Sequence, residues 1–145
     1  MPDLLTLIKE DHHVMMTLME TLCSGGEVEG EEKAVKLDMV QMLAQIFAFN
    51  MTFKDEVLYP AVRRATADGY ATSATEDHCR LNEMIAELQD LAPNSGRWPK
   101  LLEALQQELA NRLTRDEQLL DRPTPLFQPD EAREMAEEYA RRREC

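Results

Sequence analysis

The sequence predicts an all-α fold, an up-down-up-down four-helix bundle closed by a short C-terminal helix. Three observations predict it. Apolar residues recur at alternating spacings of three and four along four long segments, the mark of helices that each bury one stripe. The apolar residues are mostly Leu, Met and Ala rather than β-branched or aromatic types. Short stretches of Gly, Pro, Asn and Ser separate most of the segments, and short turns make antiparallel neighbours. At 145 residues the chain suits one domain with one core. Its bundle is expected over about residues 4–120, with an extension over 121–145.

The first helix runs from Leu4 to about Leu22, with Leu5, Ile8, His12, Met15, Met19 and Leu22 on one stripe. The Gly25-Gly26 pair and the acidic run to Glu32 stop it. A second pattern extends from about Glu31 to Thr66 and carries Met39, Leu43, Ile46, Phe49, Phe53, Val57 and Pro60 near one face. Pro60 should kink or interrupt it. The stretch ADGYATS reads as a loop, and Ser73 followed by Glu76 has the capping-box spacing that starts a third helix. That helix places His78, Leu81, Ile85, Leu88 and Ala92 together and ends at Pro93-Asn94-Ser95-Gly96.

Pro99 suits the first turn of the fourth helix, whose stripe is Leu102, Leu105, Leu109, Leu113, Asp116 or Glu117, and Leu120. The segment DRPTPLFQP cannot continue it, because its prolines remove donors and restrict their neighbours. A terminal helix from about Pro129, with Ala132, Met135, Ala136 and Tyr139 on one side, is expected to pack across the bundle end.

Composition narrows the function. A formal charge of −12, from 28 acidic and 16 basic residues, repels a phosphate backbone, so nucleic acid is not an expected partner. The N-terminal MPDLLTLIKEDHH has neither the basic start of a signal peptide nor an uninterrupted apolar run. No membrane partner is expected. Cys23, Cys79 and Cys145 leave an odd thiol and form no CxxC, which fits a reducing cytoplasm rather than a disulfide framework. Cys79 should lie packed between helices. No Ser or Cys nucleophile stands in a recognisable motif with a base, so no catalytic residue is assigned and an enzyme is not the favoured reading. Nine methionines and two inward histidines do not make a haem site, because there is no CxxCH signal and Met at stripe positions is core filler.

Four residues break the apolar stripes, one on each helix: His12, Glu56, His78 and Glu117. A buried imidazole or carboxylate is costly unless paired, hydrogen-bonded or coordinated. Two imidazoles and two carboxylates would suit iron, manganese or zinc, and bundle cores build such sites from facing helices.

The segments DLLTLIKEDHH, FKDEVLYPAV, EDHCRLNEMIAEL and RDEQLL are similar, in order and spacing, to the hemerythrin-like HHE cation-binding proteins over about residues 4–120. That resemblance implies a non-haem di-iron centre held by a His from helix one, an HxxxE from helix two, a His from helix three and an HxxxE from helix four, with the two Glu bridging. It carries the metal-ligand roles to His12, Glu56, His78 and Glu117. Four residues before Glu56, however, stands Thr52, and four before Glu117 stands Leu113.

Two readings follow. In the first, the resemblance implies a metal-binding protein with one or two non-haem iron ions, or manganese or zinc, acting in oxygen, nitric oxide or redox sensing or in iron handling. In the second, the bundle holds no metal and serves as a structural or protein-interaction module, with a homodimer among its expected assemblies.

Overall fold

The computed structural model describes residues 2–24 and 31–144; the expected connection at Gly25-Gly26 and the tail thiol of Cys145 lie outside them. Helix α1 (Leu4–Cys23) starts at Asp3, whose carboxylate accepts the Thr6 amide at 2.8 Å, satisfying one of the orphan donors of the first turn. Helix α2 (Glu31–Phe53) runs into a π-helical turn, Lys54–Leu58, and continues as α3 (Tyr59–Ala65). The Tyr59 amide donates to the Lys54 carbonyl, a five-residue step. Pro60, with no amide hydrogen, cannot bond back to Glu56 and so favours this widened turn over regular helix. The interruption expected at Pro60 is thus a local change of register.

Helix α4 (Tyr70–Asp90) begins three residues before the expected Ser73 start. Gly69 adopts φ 78°, a left-handed conformation open to glycine, and Asp68 accepts the Tyr70 amide at 3.0 Å. These two residues turn the chain, and the Ser73 amide donates to the Gly69 carbonyl within the first turn. Helix α5 (Arg97–Leu120) follows, and α6 (Pro129–Glu144) crosses the end of the bundle against α1.

The core has two apolar clusters. One joins Met15, Met19, Leu43, Phe47, Leu81, Ile85, Leu105 and Leu109 in the four-helix body. The other joins Ile8, Phe53, Leu58, Tyr59, Ala74, Leu119, Met135 and Tyr139 at the end that α6 covers. Among the described residues, the buried polar side chains are His12, Asn50, Lys54, His78, Arg112 and Asp116. On α1 and α4, His12 and His78 fall in sequence between the two clusters, and on α2 and α5 the pairs Asn50/Lys54 and Arg112/Asp116 sit where the clusters meet.

The buried stripe of α2 differs from the one its apolar residues suggest. It reads Val40, Leu43, Phe47, Asn50, Lys54, Leu58, while Met39, Ile46, Phe49 and Val57 are half-buried along its border. Because α2 is apolar on more than one side, its pattern does not single out the inward face.

Candidate metal centre

Each of the helices α1 to α5 delivers one or two polar groups to the centre of the bundle. Helix α1 supplies His12, α2 and its π turn supply Asn50 and Lys54, α3 supplies Tyr59, α4 supplies Tyr70 and His78, and α5 supplies Arg112 and Asp116. The spacings 50/54 and 112/116 are one helical turn each, so both members of a pair face the same way.

Asp116 is the hub. Its Oδ2 accepts from Lys54 Nζ at 2.9 Å and from the Tyr59 hydroxyl at 2.8 Å. Its Oδ1 accepts from the Tyr70 hydroxyl at 2.6 Å and from the Arg112 guanidinium at 3.1 Å. Arg112 also donates to Tyr70 at 2.7 Å and to Asp77 at 2.9 Å, and lies over the Tyr70 ring, 5.0 Å from its centroid. On the other side, Lys54 Nζ donates to His12 Nε2 at 2.8 Å, and His12 Nδ1 donates to Glu117 Oε2 at 2.8 Å. His78 Nε2 lies 3.0 Å from the Tyr59 hydroxyl and His78 Nδ1 lies 3.1 Å from Asp55. The result is one continuous hydrogen-bonded path, Asp55, His78, Tyr59, Asp116, Lys54, His12, Glu117, with a half-exposed carboxylate near each end.

The electrostatics follow from burial and charge. Desolvation brings His12 down to about 2, with Lys54 adding to the effect, so the imidazole is neutral. Desolvation also lowers His78, against the opposing pull of Asp55. It lowers Lys54 too, and Asp116 resists that change. Asp116 itself is pushed up by burial, but Lys54 and Arg112 outweigh burial and hold it below the usual carboxylate range. The centre is therefore an ion pair shared between one carboxylate and two cations, with the neutral His12 imidazole and the Tyr59 and Tyr70 phenols around it.

Of the residues expected at the site, His12 and His78 lie in this layer. Glu117 is half-buried, bonds His12, and lines an open groove of about 420 Å³ between α1 and α5 together with Lys9, His13 and Leu113. Glu56, expected on the inward face, is turned outward and pairs with Arg142 of α6 at 2.9 Å. Because the buried stripe of α2 falls on Asn50 and Lys54, the inward place goes to Lys54 two residues earlier, one helical turn after Asn50. Of the two positions where the resemblance places imidazoles, Thr52 is exposed, whereas Leu113 is a buried member of the four-helix core that also lines the groove. The inward pairs are Asn50/Lys54 and Arg112/Asp116. The signal that would have found them is the three-four stepping itself, carried through polar residues: Leu43, Phe47, Asn50, Lys54 on α2 and Leu105, Leu109, Arg112, Asp116 on α5.

Cys79, expected between helices, is exposed, as is Cys23. No helix among the described residues is long and apolar enough to cross a membrane.

A family model for the hemerythrin HHE cation binding domain matches residues 3–121. The chain belongs to that family. A solved structure of a hemerythrin HHE cation binding domain-containing protein from Mycobacterium kansasii shares the fold, with a TM-score of 0.78 at 20% identity, covering 99% of this chain and 86% of that one. No curated protein sequence matches the chain.

Membership in a cation-binding family raises the question of whether these residues fit a metal ion. Among the described residues no group of three or more His, Cys, Asp or Glu side chains could hold one. Both ring nitrogens of His12 and of His78 already face partners, and both Asp116 oxygens accept two bonds each. Two fixed cations share the layer. A divalent ion about 4 Å from a fixed ammonium would meet roughly 8 kcal/mol of repulsion at an effective dielectric near 20, twice that of two unit charges. The donor set does not fit a divalent metal with Lys54 in place.

Proposed function

We propose that this chain is a metal-free member of the HHE family, a helical bundle that serves as a structural or protein-interaction module rather than in oxygen, nitric oxide or redox sensing. One observation carries the reading: the Lys54 ammonium lies between His12 Nε2 and Asp116 Oδ2, at 2.8 and 2.9 Å. A neutral imidazole nitrogen and a carboxylate oxygen are groups a borderline divalent ion would use, and here both are engaged by a cation the chain supplies. The polar layer then holds the helices in register through ionic hydrogen bonds instead of coordination.

The competing reading, a bundle that holds iron, manganese or zinc, draws support from the inward placement of His12 and His78. It requires Lys54 to leave the layer or lose its proton. Elemental analysis separates the two. Protein purified without chelator or metal-affinity resin, then reconstituted anaerobically with ferrous iron and desalted, should contain iron, manganese and zinc far below one per chain. Stoichiometric metal that survives desalting would overturn the metal-free reading.

A further inference from the structure

We infer that the Lys54 ammonium is the built-in cation of this site, and that its charge, rather than a loss of donor geometry, is what keeps a divalent ion out. The inference rests on the metal-free reading above and deepens it, because it names the residue responsible and the ligand set that would remain without it.

The argument begins with what surrounds Nζ. Lys54 is fully buried, and its two bonded neighbours come from different helices: the imidazole of α1 and the carboxylate of α5. One turn earlier on α2, Asn50 keeps a buried side-chain oxygen that makes no well-formed hydrogen bond and acts only weakly on the His12 imidazole. Such a buried acceptor beside a cation site is a spare ligand atom, since amide oxygens suit divalent ions as well as N–H donors.

Charge gives the second step. The layer holds the Asp116 carboxylate against the Lys54 and Arg112 cations, with Asp77, Asp55 and Glu117 at its edges. A divalent ion added to Lys54 and Arg112 would place four positive charges around one central carboxylate. Replacing Lys54 by an acid reverses that balance. The centre would then offer two carboxylates and the imidazole of His12, a combination that suits zinc or a similar ion.

The test uses zinc chloride alone as the probe, on the full chain, with equilibrium dialysis for stoichiometry and thermal unfolding for the effect of the ion. Wild type is expected to retain no zinc and to show no zinc-dependent rise in Tm. Lys54→Glu is expected to retain zinc near stoichiometry and to gain Tm with it, and His12→Ala placed in that background should abolish both. If Lys54→Glu is unfolded without metal, zinc-dependent folding gives the same support, because metal binding and folding are then one event. Lys54→Gln, which removes the charge without adding another, should also gain a zinc-dependent rise in Tm and decides the matter should the acid variant never fold. If wild type stays metal-free and neither variant gains zinc, the inference falls while the metal-free reading stands. If wild type takes zinc as well as the variants do, both fall.

Discussion

Asp116 is the residue on which the interior depends most. It receives four hydrogen bonds, two of them from cations, and it is fully buried. Asp116→Asn keeps the shape but leaves Lys54 without its carboxylate and Arg112 with Asp77 alone, and removing one partner from a buried pair costs about 3–5 kcal/mol. Urea unfolding should show that loss. Lys54→Met in the same chain should recover part of it, since one stranded cation goes with it. The double-mutant cycle is expected to depart from additivity by about 0.5–3 kcal/mol, and strict additivity would mean that the two residues do not act as a pair.

His12 sets a pH dependence whose sign is fixed by its neutral folded form. Its value falls from 6.5 in the unfolded chain to about 2 in the folded one, so below pH 6.5 the unfolded chain binds the extra proton. Stability is then fully present above about pH 6.5 and is lost as pH falls towards 2, with a slope of at most about 1.4 kcal/mol per pH unit for one proton. His78, also lowered by burial, acts in the same direction. Urea midpoints for wild type and His12→Gln at pH 7.0 and 5.0 should show a smaller acid loss in the variant, and an equal loss would assign the effect elsewhere.

Among the elements, α6 is tied to the polar layer through one side chain. Tyr139 accepts from Asn50 Nδ2 at 2.9 Å and donates to Asp11 of α1, while its ring meets Phe49 and Phe53 edge-on. Outside that contact, Arg142 and Arg143 bond Glu56, Glu10 and the Leu7 carbonyl. Tyr139→Phe keeps the ring but takes away the acceptor of Asn50 Nδ2, a loss expected to cost about 1–3 kcal/mol for the unsatisfied buried amide. Limited proteolysis should then cut at the α5–α6 connection sooner than in wild type.

The elements also show how far the sequence was readable. Helices α1, α4, α5 and α6 were legible because each has one apolar stripe, and His12 and His78 interrupt theirs at stripe positions. Helix α2 was not, since its apolar residues spread around the cylinder and its border residues imitate a stripe. That ambiguity hid Asn50 and Lys54 and put Glu56 on the wrong side. On α5, Asp116 and Glu117 are neighbours that both approach the centre, and Asp116 with Arg112 completes the buried stepping. A buried Lys or Arg is rare unless paired, so sequence reasoning treats both as surface residues until the partner carboxylate is seen.

At the scale of the whole molecule, the bundle places a layer of charge between two apolar clusters. The layer joins the long helices of the bundle, and in the metal-free reading proposed above it fixes their register as coordination would. Such a layer is weak evidence for added stability, because desolvating its charges offsets much of their attraction. Its value lies in matching each helix to its partners: a slip of one turn along any of them would bury an ammonium or guanidinium against apolar side chains.

The most direct test of an internal ammonium in place of a metal is a crystal structure of the wild-type chain soaked in zinc chloride, with an anomalous difference map at the zinc edge. The expected map shows Lys54 Nζ between His12 and Asp116 and no anomalous peak in the layer. A strong peak bonded to His12 Nε2 and Asp116, with Lys54 displaced, would contradict the account and return the chain to the metal-binding members of its family.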